Sequence, residues 1–178
     1  MKNKNNIQPK FFILDVDGVF TDGKYYYTAE GKYMKQFGPE DHDALSLLDG
    51  KVQIHCVTGD KRGFGITKKR IQDDMGLSLD LVSTFDRVDW IKERYNLDET
   101  IYMGDGIYDP LVFRAVAYSI APANAFYSTQ EHANFVTDAK GGEGAVAEAC
   151  IHILDHFFDQ KFDVFSLPLK NGSGAWKK

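Results

Sequence analysis

Three short stretches concentrate the groups able to do chemistry: Asp15-Val16-Asp17-Gly18, Thr58-Gly59-Asp60 and Gly104-Asp105-Gly106-Ile107-Tyr108-Asp109. Each follows a short apolar run, and in open α/β sheets ligands sit beyond the carboxyl ends of the strands. Three polar strand ends on one rim bring several carboxylates and a hydroxyl together. Close carboxylates repel and raise each other's pKa unless a cation neutralises them. Oxygen donors with no His or Cys among them suit Mg²⁺ best. Asp15 and Asp17 are two apart, so in extended backbone their side chains point to the same side.

The elements that must position these groups follow from the pattern. Phe11-Phe12-Ile13-Leu14, ending in Asp15, reads as a buried parallel strand. Lys24–Thr28 and Lys32–Phe37 are strand-like and aromatic, and Ala29-Glu30-Gly31 turns between them, which predicts a β-hairpin over 24–37. Beyond it the chain alternates. Helices are expected at 41–49, Lys61–Met75 (capped by Gly76), Arg87–Tyr95, Asp109–Ala115, Ala125–Ala133 and Glu143–Phe158. Strands are expected at Val52–Val57, Leu79–Val82, Thr100–Met103 and Val116–Ile120, with a last short one beginning at Phe135-Val136. Strands alternating with helices argue for a parallel sheet covered on both faces. The expectation is one three-layer α/β/α, Rossmann-like domain over 1–178, with a protruding hairpin and no cap domain. Residues 1–9 read as a loose tail. Asp159 onward reads as a flexible end or as a segment docked by Phe165, Leu167 and Trp176.

Composition narrows the partners. The 178 residues allow one domain with a sizeable core. With 21 Lys and Arg against 26 Asp and Glu, and no basic block, a nucleic-acid surface is not expected. The net charge of −5 means that an anionic substrate needs a local positive site or a metal. No apolar run approaches the roughly 20 residues that span a bilayer, and the first ten residues carry no signal-peptide stretch. Cys56 and Cys150 sit inside apolar segments without metal-ligand spacing, which predicts reduced core residues of a cytoplasmic protein. His152 and His156, four apart, read as part of an amphipathic helix end rather than a metal site.

The order of motifs resembles a known family. Asp15-Val16-Asp17-Gly18-Val19 with Thr21-Asp22-Gly23, then Thr58, Asp86-Arg87, and Gly104-Asp105 with Asp109, is similar to the haloacid dehalogenase-like phosphatase superfamily. The hairpin, the absence of a cap-sized insertion and Gly141-Gly142-Glu143-Gly144-Ala145-Val146 resemble its 3-deoxy-octulosonate 8-phosphate phosphatase subfamily, whose relatives act on nine-carbon keto-deoxy sugar acids. The resemblance spans roughly residues 11–158. It implies a phosphatase acting on a small phosphorylated metabolite. Asp15 is then the nucleophile, which splits hydrolysis into two easier steps. Asp17 protonates the leaving alkoxide and later activates water. Mg²⁺ is held by Asp15, the backbone carbonyl of Asp17, and Asp105, with Asp109 in support. Thr58 donates to the phosphoryl group and Arg87 neutralises its charge. Gly59, Lys61 and Arg62 join the substrate contacts. The resemblance also implies a homotetramer whose hairpins meet at its centre, against the plainer reading of the hairpin as an exposed ribbon over the sheet.

The chain departs from the family at four places. Arg87 stands where Lys is usual, Asp41-His42-Asp43-Ala44 replaces Asp-Gly-x-Gly, Asp60 replaces the Arg of Thr-Gly-Arg, and Ala147 replaces an Arg after Gly144-Ala145-Val146. The last three are expected near the sugar, whose carboxylate needs a positive partner; Lys61, Arg62 and Lys35 are the candidates. Other readings are a phosphatase for a different small ester, a signalling receiver domain, and a non-catalytic partner of sugar-acid activation. The paired Asp15 and Asp17 argue against the receiver, because a long-lived phospho-switch lacks a general acid/base.

Overall fold

The computed structural model describes residues 7–166. Its centre is β1 (Phe11–Asp15), paired in parallel with β4 (Gln53–Thr58) on one side and β6 (Thr100–Met103) on the other. β5 (Ser78–Leu81), β7 (Tyr118–Ala121) and β8 (Phe135–Val136) complete a six-stranded parallel sheet in the order β5-β4-β1-β6-β7-β8. Register puts Asp15 beside Val57 and Leu14 beside Met103, so the polar residues that follow all three central strands emerge on one rim.

The pleat divides the core. Phe12, Leu14, Cys56, Ile101 and Met103 face one layer, while Ile13, Val57 and Tyr102 face the other. The first layer holds α1 (Glu40–Leu45) and α6 (Ala145–Phe158). α6 buries Ala145, Val146, Ala149, Cys150, Ile153 and Leu154, a single face at helical spacing. The second layer holds α3 (Arg87–Arg94) and α4 (Pro110–Phe113), through Ile91, Val112 and Phe113. Each such side chain stabilises the fold by roughly 1.5–3 kcal/mol. α2 (Phe64–Lys68) follows β4, and α5 (Tyr127–His132) precedes β8. Both cysteines are free and fully buried.

The hairpin forms as β2 (Tyr26–Thr28) and β3 (Gly31–Met34), with a register shift at Tyr26/Tyr27 and an isolated bridge between Thr21 and Phe37 at its base. It is shorter than the expected 24–37. Two helices and one strand also differ from expectation. The helix expected from Lys61 begins only at Phe64, because Asp60 Oδ1 accepts from Gly63 N and draws 60–63 into a turn; from Lys69 to Asp74 its register widens to a π-helix. The helix expected at 41–49 ends at Leu45 and tightens into a 3₁₀ turn over Ser46–Leu48. Val116, expected to open a strand, closes the turn after α4 by donating to Val112 O. The other bounds move by one or two residues, as helix and strand ends do. Of the three residues expected to dock the tail, Leu167 and Trp176 fall outside the described residues, and Phe165 is exposed.

Candidate active site

β1 stops at Asp15, and the chain turns at once: the N–H groups of Val19, Phe20 and Thr21 all point at Val16 O. Asp17 therefore lies in the turn rather than on the strand, beyond the reach of the alternation argument. Both carboxylates nevertheless line one cavity of about 550 Å³. Gly18 has φ +84°, and a Cβ there would lie 1.9 Å from Asp105 Oδ2. Only glycine allows the turn to pass over Asp105. Gly141 is constrained in the same way, because a Cβ would lie 1.9 Å from Gly18 O. Asn124 ties the two glycines together: its Nδ2 donates to Gly18 O at 3.0 Å, and its Oδ1 accepts from Gly141 N at 2.6 Å. Asn124 carries no signal in the sequence, being a lone polar residue with no motif around it.

Asp15 is gripped by Arg87. Nη1 lies 2.6 Å from Oδ2 and Nη2 lies 3.1 Å from Oδ1, a two-point fork. Nη1 also donates to Tyr102 Oη at 2.6 Å and to Asp109 Oδ1 at 3.2 Å, and Tyr102 donates to the same Asp109 oxygen at 2.9 Å. Arg87 is almost wholly buried, yet it is among the residues that line the cavity. Asp109 Oδ2 accepts from Gly106 N at 2.8 Å, which orients the loop after β6.

One carboxylate of the group has no such partner. Among the described residues no cationic side chain pairs with Asp105. Burial first, and then the charges of Asp15 and Asp109, push its pKa up to about 8. Asp15 is pushed up to about 6 by burial, with Arg87 opposing. Asp15, Asp105 and Asp109 each offer an oxygen, all within 4.8 Å of one another. An oxygen-only set with a surplus of negative charge fits Mg²⁺, and a divalent ion would supply the charge Asp105 lacks.

Asp17 is held differently. Thr58 donates to Oδ2 at 3.0 Å, and Lys35 Nζ lies 2.6 Å from Oδ1. The same ammonium lies 2.8 Å from Asp60 Oδ2 and donates to Thr67 Oγ1 at 2.7 Å. Lys32 reaches Asp60 as well, at 2.5 Å, and rests over the ring of Tyr25. Burial alone would raise the Asp60 pKa, but Lys32 and Lys35 hold it at about 2. These contacts correct two expectations. Lys35, expected as a partner for the substrate's carboxylate, is sealed under Asp17 with no exposed side-chain surface. Asp41 and Ala147, expected near the sugar, lie outside the cavity lining and instead bond to each other, with Asp41 Oδ1 accepting from Ala147 N at 3.1 Å at the start of α6. Gly59, Lys61 and Arg62 do line the cavity, and both cations are exposed there. His152 stacks on Phe135 and bonds to Tyr118 Oη at 2.8 Å, as a packed helix residue does.

Comparison with known proteins places this arrangement. No protein-family model matches the chain. It is similar to the 3-deoxy-D-manno-octulosonate 8-phosphate phosphatase of Haemophilus influenzae, at 32% identity over 151 residues covering 82% of each chain. It is similar to the enzyme of that name from Escherichia coli K12, at 31% over 154 residues covering 82% of this chain and 79% of that one. Among solved structures, the cobalt-bound deoxy-D-mannose-octulosonate 8-phosphate phosphatase of Haemophilus influenzae matches with a TM-score of 0.74 at 30% identity, covering 85% of this chain and 90% of that one. A probable phosphatase from Pseudomonas syringae matches with a TM-score of 0.74 at 31% identity, covering 84% and 87%.

Proposed function

The chain belongs to the haloacid dehalogenase-like phosphatases of the 3-deoxy-D-manno-octulosonate 8-phosphate type, and from that premise we propose that it hydrolyses a phosphorylated 2-keto-3-deoxy sugar acid, with Mg²⁺, through a phosphate held covalently on Asp15. The observation that carries the reading is the pairing of Asp15 and Asp17 on one cavity beside an oxygen-only cluster. An Asp15 oxygen attacks phosphorus while the ester oxygen leaves, and Asp17 gives that oxygen a proton. Asp17 then takes a proton from water as the water attacks phosphorus, which frees Asp15 and inorganic phosphate. Asp15, Asp105 and Asp109 would hold the ion, together with the Asp17 carbonyl expected from the family. When bound, it offsets the repulsion between nucleophile and phosphate oxygens. Thr58 lies behind Asp17 and steadies it, and Arg87 fixes the face that Asp15 presents.

The sugar's carboxylate meets Lys61 and Arg62, which stand exposed at the cavity mouth while Lys32 and Lys35 neutralise Asp60. The same reading makes the protein a cytoplasmic homotetramer. Tyr26, Tyr27 and Tyr33, exposed on a two-stranded ribbon too small to be stable alone, support the assembly.

The test is phosphate release with Mg²⁺ across a panel holding 3-deoxy-D-manno-octulosonate 8-phosphate, nine-carbon sugar-acid 9-phosphates and simple esters. Preference for one of the acids, lost on adding EDTA and absent in Asp15→Asn, is the expected result. Release from other esters alone keeps the chemistry and changes the substrate. No release from any ester ends the catalytic reading.

A further inference from the structure

A line of contacts runs from the cavity into the hairpin: Asp17 to Lys35 at 2.6 Å, Lys35 to Asp60 at 2.8 Å, Asp60 to Lys32 at 2.5 Å, and Lys32 over the ring of Tyr25 at 3.3 Å. Its ends, Asp17 and Tyr25, both line the cavity. Asp60 and Lys32 line it too, but Lys35 has no exposed side-chain surface and is absent from the lining. A buried ammonium needs full compensation. Lys35 has it in two carboxylates and a hydroxyl, from residues on three separate segments of chain.

We propose that Lys35 is a positioning residue: it fixes the carboxylate plane of Asp17 for proton transfer to the leaving oxygen, and so fastens the hairpin to the acid/base. The inference rests on the catalytic reading above. Asp17 has two side-chain torsions to lose. Thr58 on Oδ2 restrains one oxygen, and without a second anchor the carboxylate pivots about that bond. Lys35 on Oδ1 supplies the anchor, and Asp60 and Thr67 hold Lys35 from behind. Its charge neighbours a site meant for an anion, yet Asp17 and Asp60 absorb it, so its loss leaves substrate attraction largely intact. The hairpin thus reaches the chemistry through a side chain the substrate never touches.

The leaving group provides the test. A sugar alkoxide departs poorly without a proton, whereas p-nitrophenolate departs well unaided. Positioned proton transfer contributes about 100-fold or more, so Lys35→Met should lower kcat/KM for 3-deoxy-D-manno-octulosonate 8-phosphate about 100-fold and for p-nitrophenyl phosphate less than about fivefold. Lys35→Arg, which keeps a charged donor, should recover part of the loss on the sugar phosphate alone. Equal losses on both esters, or no loss on either, overturn the proposal while leaving the phosphatase reading intact. If the wild-type protein hydrolyses neither ester, both fall together. Should Lys35→Met fail to fold by circular dichroism, Thr67→Val decides: it removes one support of Lys35 and should show the same ester contrast at smaller size, and a uniform loss overturns the idea.

Discussion

Asp105 is a carboxylate with a charge problem. Burial and two neighbouring carboxylates raise its pKa to about 8, so near neutral pH without a cation it keeps its proton. A divalent ion binds the deprotonated form, and protons therefore compete with metal. Calorimetric titration of Mg²⁺ in buffers of different ionisation enthalpy should show about one proton released per ion at about pH 7 and close to none at about pH 9.5, with affinity rising between them. Uptake without proton release would remove Asp105 from the metal site. That these side chains would gather was legible at this scale: Asp15, Asp17, Thr58, Asp105 and Asp109 stand in one neighbourhood because polar residues follow strands that pair side by side, and Arg87 joins them from the start of α3. What stayed hidden was the pairing. Nothing in the order of residues tells that Lys35 is sealed beneath Asp17, because that contact depends on how the hairpin folds back over the rim. Asp41 misled for a similar reason: its motif position suggested the sugar, but packing of α1 on α6 turned it to a helix start.

Among the elements, the loops matter more than the helices for holding the turn after Asp15 in shape. The turn after β1 is backed by the loop before α6, and Asn124, from the loop after β7, bridges them. Asn124→Ala removes both bonds and leaves Gly18 O and Gly141 N without that partner, a cost of about 1–3 kcal/mol. Thermal unfolding should show this loss, and phosphatase activity should fall with it; an unchanged melting temperature would mean that the glycine contacts alone suffice. The strands and the order of elements were legible because buried parallel strands read as apolar runs. The start of α2 was not, since the Asp60 turn that delays it is made by one side chain bonding to Gly63 N. The π-helical stretch from Lys69 to Asp74 carries no signal that a periodicity count detects.

At the scale of the molecule, the hairpin presents Tyr26 and Tyr33 to solvent, at 42% and 70% exposure. If hairpins from several chains meet, carboxylates placed there will repel at close range. Tyr26→Glu with Tyr33→Glu should lower the native mass measured by light scattering toward that of one chain. A mass unchanged from wild type would end the assembly reading. The central place of β1 has a different consequence, for synthesis. Phe11 pairs with Gln53 on one side and with Thr100 on the other, so the strand bearing Asp15 is made before both of its neighbours. A ribosome delivers Asp15 well before Asp105, Asn124 or Gly141 exist, and contacts this distant in sequence form slowly. The growing chain therefore carries an apolar strand with both edges unpaired until β4 emerges and with one edge unpaired until β6 does, and the cell must shield it for that time.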